Sequence, residues 1–387
     1  MLIVFWLSVF LVVFSYAIYP VILKLLAIGK KPNSNTYAAD DLPTVSVIIA
    51  AFDEERVIQE KLLTVLDSSY PMEKIEILVG SDASTDQTIP IVQELSQRHL
   101  LIKCFDFQMR RGKPSVVNDL VSHANNEILV LTDANVMFTP GTLLHLVKHF
   151  KNPEIGLVDT RMVNEAIKIE GIAHQEKAYI SREVWIKNME SLIWGTMMGP
   201  FGGCYAIRRS DYSQVPPHSL VDDFYINMRV LEKGKKAVNE LQAIVHEDVS
   251  NSLRDEFHRK VRIATGNFQN LRRFKHLLCP LWKGTGFAFL SHKVLRWFGP
   301  LFLILALVAN IPLAFRNDIY CITMIGQLML MVGVPLLDQV LKRFNLHCSI
   351  LRLIVHFYSM NLALLVGMFR YLKGVKSGIW KPTPRYQ

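Results

Sequence analysis

The sequence predicts an α/β domain built on a parallel sheet and set between apolar helices long enough to cross a membrane. Three observations predict it. Short apolar, β-branched runs alternate with segments of helical periodicity from residue 45 to residue 131. Four longer runs, Met1–Leu23, Trp297–Phe315, Ile319–Leu337 and Leu353–Phe369, carry no charge. Polar clusters follow the short apolar runs, and an open parallel sheet binds its ligands beyond the carboxyl ends of its strands.

The strand candidates are Val45–Ala51, Ile75–Val79, Leu101–Phe105 and Ile128–Leu131. Between them, Glu55–Leu66, Ile89–Arg98 and Ser115–His123 read as helices, which puts helices on both faces of the sheet. From about residue 156 to residue 250 the pattern loosens. It contains a long helix over Ile172–Glu190 and the Gly-rich stretch Gly199–Arg209. Residues 254–275 form a basic helical stretch, and Leu281–Arg296 mixes Trp and Phe with Lys, His and Arg, as an interfacial helix does.

A span needs about 20 apolar residues, with about 17 as the lower limit, and each uncharged run falls in that range. The first run lacks a preceding basic residue and exceeds the apolar core of a signal peptide, so it reads as an uncleaved anchor. Lys24, Lys30 and Lys31 follow it and put the next domain in the cytosol. The expected organisation is an anchor over 1–28, an α/β domain over 43–275, an interfacial amphipathic helix over 281–296 and transmembrane helices over 297–372. With an external N-terminus, three C-terminal spans leave the tail outside. Arg370, Lys373, Lys376, Lys381 and Arg385 favour the inside, so one segment is expected to be re-entrant.

The chain has 387 residues and a net charge of +9. No basic stripe interleaved with aromatics accompanies that charge, which argues against nucleic acid. Lys342, Arg343, Arg370, Lys373 and Lys376 flank apolar runs, where contact with anionic membrane lipids accounts for them. Cys104, Cys204, Cys279, Cys321 and Cys348 are scattered and form no CxxC pair, so neither a disulfide framework nor a zinc site is expected.

Four acidic clusters carry the candidate chemistry: Asp53-Glu54-Glu55, Ser81 to Asp86, Thr132 to Asn135, and Asp222-Asp223. Arg110-Arg111-Gly112-Lys113 lies between the second and third. Any one of them alone reads as a turn, a cap or a solvated loop. Their joint placement fits a nucleoside diphosphate. Such a ligand needs an acceptor for its base, a hard divalent cation for its phosphates, and a cation against their charge. Asp82, Asp133 and Lys113 supply these in turn. A dinucleotide-binding G-x-G-x-x-G is missing after the first strand, where Ala50-Ala51-Phe52-Asp53 stands. His246 in His246-Glu247-Asp248 reads as a structural residue or a metal ligand.

The order Val45–Glu55, Ser81–Thr88, Arg111-Gly112-Lys113, Thr132–Asn135, Gly202-Gly203 and Asp222-Asp223 resembles family 2 glycosyltransferases of the GT-A fold. Within that family the chain is similar to membrane-bound synthases of cellulose, hyaluronan and poly-N-acetylglucosamine. The resemblance spans about residues 43–270. It implies an inverting transferase that moves a sugar from a nucleotide-sugar donor, a UDP-sugar, to a glycan or lipid acceptor with Mg²⁺ or Mn²⁺. It gives Asp53, Glu54 and Asp82 to the base and ribose, Lys113 to the diphosphate, and Asp133 with Asn135 to the metal. Asp223 is then the catalytic base and Asp222 its partner. Gly202 and Gly203 lie beside the acceptor, and Arg259 to Ile263 stands where synthases carry Gln-x-x-Arg-Trp. Three departures stand out: Asn135 in place of an Asp, Asp222 in place of a Glu, and Arg259 and Ile263 in place of the Gln and Trp that flank Arg262.

Overall fold

The computed structural model describes residues 1–38, 41–164, 173–247, 253–344, 346 and 348–375. Asp248 and the tail cations Lys376, Lys381 and Arg385 lie outside them. The described helices begin with α1 (Leu2–Leu26), which contains a π turn at Phe14–Ile18. The domain follows as β1 (Val45–Ala51), α2 (Ile58–Leu66), β2 (Ile75–Asp82), α3 (Thr88–Arg98), β3 (Ile102–Phe107), α4 (Lys113–His123) and β4 (Ile128–Asp133). It continues through β5 (Val136–Phe138), α5 (Thr142–Val147), β6 (Ile155–Asn164), α6 (Ala173–Trp194), β7 (Cys204–Arg208), α7 (Asp222–Glu232) and β8 (Lys236–Glu247). Then come α8 (Leu253–Phe274), α9 (Gly284–Trp297), α10 (Gly299–Ala314), α11 (Asp318–Arg343) and α12 (Ser349–Leu372).

The strands form one sheet in the order β3-β2-β1-β4-β7-β6-β8-β5. The first four are parallel, as the alternation predicts. The rest correct the expectation of a parallel sheet, because β7 runs antiparallel to β4 and β6, and β5 antiparallel to β8. The sheet is therefore mixed. The first connections wind outward from β1 to β2 and β3, then return to β4 on its other side. That reversal opens a crevice at the carboxyl ends of β1 and β4, where ligands of doubly wound sheets bind.

Strand side chains alternate between faces. Val45, Val47 and Ile49 enter one core with Ile58, Leu62 and Val65 of α2. Ile48, Leu129 and Leu131 enter the other with Val116 and Leu120 of α4 and Ile226 and Val230 of α7. Both faces are covered, so the early strands are continuously apolar.

Helices α1, α11 and α12 are each long and apolar enough to cross a membrane. The run over Trp297–Phe315 differs from the others. Its helix α10 has 16 residues and meets α9 at 60°. At 1.5 Å per residue it reaches about 24 Å, short of the roughly 30 Å hydrocarbon core. Segment 281–296, for which an interfacial helix is expected, packs partly against the rest of the chain. Trp282 is exposed, but Phe289, Ser291, His292, Val294 and Arg296 are buried against the rest of the chain.

Candidate active site

The loops after β1 and β2 are stitched together through side chains. Asp53 adopts a positive φ of 52°, and its Oδ1 accepts from the Thr85 amide at 2.8 Å. The Glu54 amide donates to Thr88 Oγ1 at 2.8 Å, and the Glu55 amide to Asp86 Oδ2 at 3.0 Å. Asp53 itself is exposed and Glu54 half-buried, and neither lines the cavity that Lys113 and Asp133 share.

Asp82 is expected to hold the base, and its contacts here are to a loop. It is buried, and both of its carboxylate oxygens accept backbone amides, from Arg111 at 2.7 Å and Gly112 at 2.8 Å. Its place is beneath the Arg110–Lys113 loop, which it shapes. Gly112 takes a φ of 86°, open to glycine at little cost, and the chain then enters α4 at Lys113.

Lys113 Nζ lies 2.5 Å from Asp133 Oδ1 and 3.9 Å from Asp222 Oδ2. Burial opposes its charge, but Asp133 and Asp222 outweigh burial and hold it above the ordinary lysine range. One cation and three carboxylates thus converge: Lys113 with Asp133, Asp222 and Asp223. Burial first, and the Asp222 carboxylate second, push Asp223 up to about 7. Its Oδ1 accepts from the Phe224 amide at 2.8 Å, within the first turn of α7. Gly202 presses on the same carboxylate. At φ 86°, a Cβ there would stand 2.5 Å from Asp223 Oδ2.

Asn135 is buried. Its Nδ2 donates to Glu247 Oε1 at 3.1 Å, while its Oδ1 is buried without a hydrogen-bond partner. The β5–β8 pairing brings Glu247 here, opposite Val136. An orphaned oxygen beside Asp133 and Glu247 is a hard donor set, which fits Mg²⁺ or Mn²⁺. Among the described residues, no three His, Cys, Asp or Glu side chains come together to hold a metal. A cation here would therefore need phosphate oxygens as well, the usual situation for Mg²⁺ with nucleotides.

Arg259 and Arg262 of α8 line the same cavity as Lys113, Asp133, Asp222 and Asp223. Arg262 donates to the Leu220 carbonyl at 2.9 Å, and Arg259 faces Glu256 at 3.4 Å. Two features were not foreseen. One is Glu247, whose neighbour His246 drew attention instead. The other is a buried node on α6 and α9, in which His292 lies 2.9 Å from Glu183 and 2.8 Å from Glu190, and Arg296 also pairs with Glu183. The acidic residues of α6 carry no sequence signal of burial, because their partners lie about a hundred residues away.

Residues 46–215 match the family model described as glycosyl transferase family 2, across the strands and loops that build this site. Residues 46–215 are thus a family 2 glycosyltransferase domain. Its curated relatives include a β-monoglucosyldiacylglycerol synthase of a Nostoc species, 25% identical over 63% of this chain and 53% of the relative. A probable glycosyltransferase, YdaM, of Bacillus subtilis is 30% identical over 59% of this chain and 56% of the relative. A poly-β-1,6-N-acetyl-D-glucosamine synthase of Staphylococcus aureus is 24% identical over 64% and 59%. The chain thus spans a little over half the length of these relatives. In fold, the family 2 domain and its helices are similar to a solved mannosyltransferase of Pyrobaculum calidifontis, captured with GDP-mannose and Mn²⁺. The TM-score is 0.72 at 20% identity, over 95% of this chain and 99% of the other.

Proposed function

We propose that this family 2 domain transfers a sugar, with inversion, from a UDP-sugar to a glycan or lipid acceptor held at a membrane, in polysaccharide assembly. The observation that carries the reading is a single cavity of about 340 Å³. It is lined by Lys113, Asp133, Asp222 and Asp223, and also by Tyr16 of α1 and by His356, Met360 and Leu364 of α12. The acidic residues suit the donor, and α1 and α12 are long and apolar enough to span. In this reading the protein is integral to the membrane, with its α/β domain on the cytosolic side.

The chemistry follows from the residues. Asp223 takes the proton of an acceptor hydroxyl as that oxygen attacks the anomeric carbon; this is general-base assistance worth about 10²–10⁴ in rate. The bond from that carbon to the diphosphate breaks, and its electron pair leaves with the phosphate. Lys113 faces the charge that develops there. Asp133 and Asn135, with Glu247 beside them, would hold Mg²⁺ or Mn²⁺, which when bound supplies Lewis-acid stabilisation of the diphosphate. Asp53 and Glu54, after β1, would meet the nucleoside, and Asp82 would serve it through the loop it anchors. Arg262 and Arg259 would face the acceptor, with Gly202 against Asp223 and Gly203 beside it in the chain.

A second reading, transfer of one sugar to a lipid, has its own support. Ile263 lines the cavity where similar synthases carry a Trp, so a stacking surface for a sugar chain is missing. The test is to reconstitute the protein in vesicles with a panel of labelled nucleotide sugars and size the product. Long polymer supports assembly, and one sugar per lipid supports the second reading. Full activity on a water-soluble acceptor without lipid or detergent would overturn the membrane acceptor.

A further inference from the structure

We propose that Lys61 is a positioning residue for the metal-binding turn: its buried amine braces the backbone on both sides of Asp133–Asn135. The inference rests on the metal reading above and goes beyond it. Lysine is almost never fully buried unless paired. Lys61, on α2, has no exposed surface, and among the described residues no carboxylate lies within ion-pair distance of it.

Its contacts explain why it is tolerated. Nζ donates to Thr132 Oγ1 at 2.9 Å, one residue before Asp133. It also donates to the carbonyl of Val136, one residue after Asn135. The ring centre of Phe138 is 3.5 Å from the nitrogen. One amine therefore ties the end of β4 to the start of β5 and closes the turn that presents Asp133 and Asn135. The brace reaches further through Thr132, whose hydroxyl lies 3.1 Å from the Gly203 carbonyl. The same carbonyl accepts the Asp133 amide at 2.9 Å. Gly203 follows Gly202, which abuts Asp223. Lys61 thus links the metal turn to the loop over the base.

Burial pushes Lys61 down to about 7. The brace does not depend on that, because a neutral amine and an ammonium both donate two hydrogen bonds. Removing the amine takes a donor from the Val136 carbonyl and the Thr132 hydroxyl and costs stability, but a purely structural role confines that cost to folding. A lysine that merely fills the core would therefore be dispensable to ligand binding. A positioning lysine would not.

The experiment uses the full chain in detergent or vesicles and follows free Mn²⁺ by electron paramagnetic resonance, with UDP and in parallel with GDP. Thermal unfolding is measured on the same samples. Lys61→Met is expected to stay folded with a lowered unfolding midpoint while weakening Mn²⁺ retention by about 10- to 100-fold, the scale of lost supporting contacts at metal sites. Thr132→Val should weaken retention similarly. The double variant should be no weaker than the worse single one, since both cut the same chain of bonds. Wild-type Mn²⁺ affinity in folded Lys61→Met, or additive losses in the double variant, would overturn the inference. If Lys61→Met does not fold, Thr132→Val decides alone: wild-type affinity there overturns the brace and weakened affinity supports it. If the wild type retains no Mn²⁺ with either nucleotide, the metal reading fails and takes the inference with it.

Discussion

Asp223 stands where burial and the neighbouring Asp222 both oppose ionisation, and together they push it up to about 7. A base must be deprotonated to act, so its working form is present above that pH and lost below it. The account expects kcat/KM, which reports the free enzyme, to fall as pH drops through about 7. Asp222→Asn removes the like charge and should move that acid limb to lower pH; an unmoved limb would separate Asp222 from the base. Gly202→Ala places a Cβ 2.5 Å from Asp223 Oδ2 at a φ of 86°. The left-handed conformation costs about 1–2 kcal/mol in stability. The displaced carboxylate should cost more in turnover, about a hundredfold in kcat. Comparable small losses in both would mean that Asp223 is not displaced. The first three acidic clusters were legible because each lies at the end of a strand, where the fold aims its chemistry, whereas Asp222 and Asp223 open α7. Asp82 was legible as a candidate, but its loop contacts were not. A sequence cannot show that both carboxylate oxygens meet the amides of a loop 29 and 30 residues away. Lys61 was invisible, since one lysine in a helical pattern reads as a surface position.

At the scale of elements, α1, α6 and α9 are joined by a buried polar node. Tyr19 donates to Glu190 at 2.8 Å, His292 faces both Glu183 and Glu190, and Arg296 reaches Glu183 and the Ser15 carbonyl. Ser15 lies in the π turn of α1, and His292 in a second π turn at Phe289–Val294. Such turns break the regular ladder and release backbone groups to other partners. The node holds 281–296 against the rest of the chain. Its His292, Lys293 and Arg296 have carboxylate partners inside the protein, which sequence composition cannot reveal. Glu183→Ala leaves His292 and Arg296 buried without their shared partner. It should destabilise by about 3–5 kcal/mol, read as a lowered unfolding midpoint in a denaturant series; an unchanged midpoint would remove the node from the account. Strands β1, β2 and β4 were legible because burial on both faces makes them almost continuously apolar. Strands β6 to β8 were not. β8 alternates buried and exposed residues, and its pairing with β6 shifts register between Asp159 and Arg161.

Over the whole molecule, apolar surface and chemistry point the same way. Helix α11 exposes Ile319, Ile322, Ile325 and Met329, and the hydrophobic window that marks it as a candidate span has none of its residues buried in the protein. Apolar surface on that scale is stable only against an apolar surrounding. Helix α12 packs on α8, where a Cβ on Gly367 would stand 2.4 Å from Ala264 Cβ. Arg262, two residues before Ala264, lines the cavity that also reaches Asp223. Helices α1 and α12 are therefore part of that cavity's wall. The measurement that tests the central claim most directly is made on Asp223→Asn in lipid vesicles: donor affinity by titration, and sugar transfer under saturating donor. Asn is nearly the same shape but accepts no proton at neutral pH. The account predicts donor affinity close to wild type and transfer reduced by at least about a hundredfold. Near-normal transfer would contradict it, and would leave Asp223 as a residue of the first turn of α7 with no part in the chemistry.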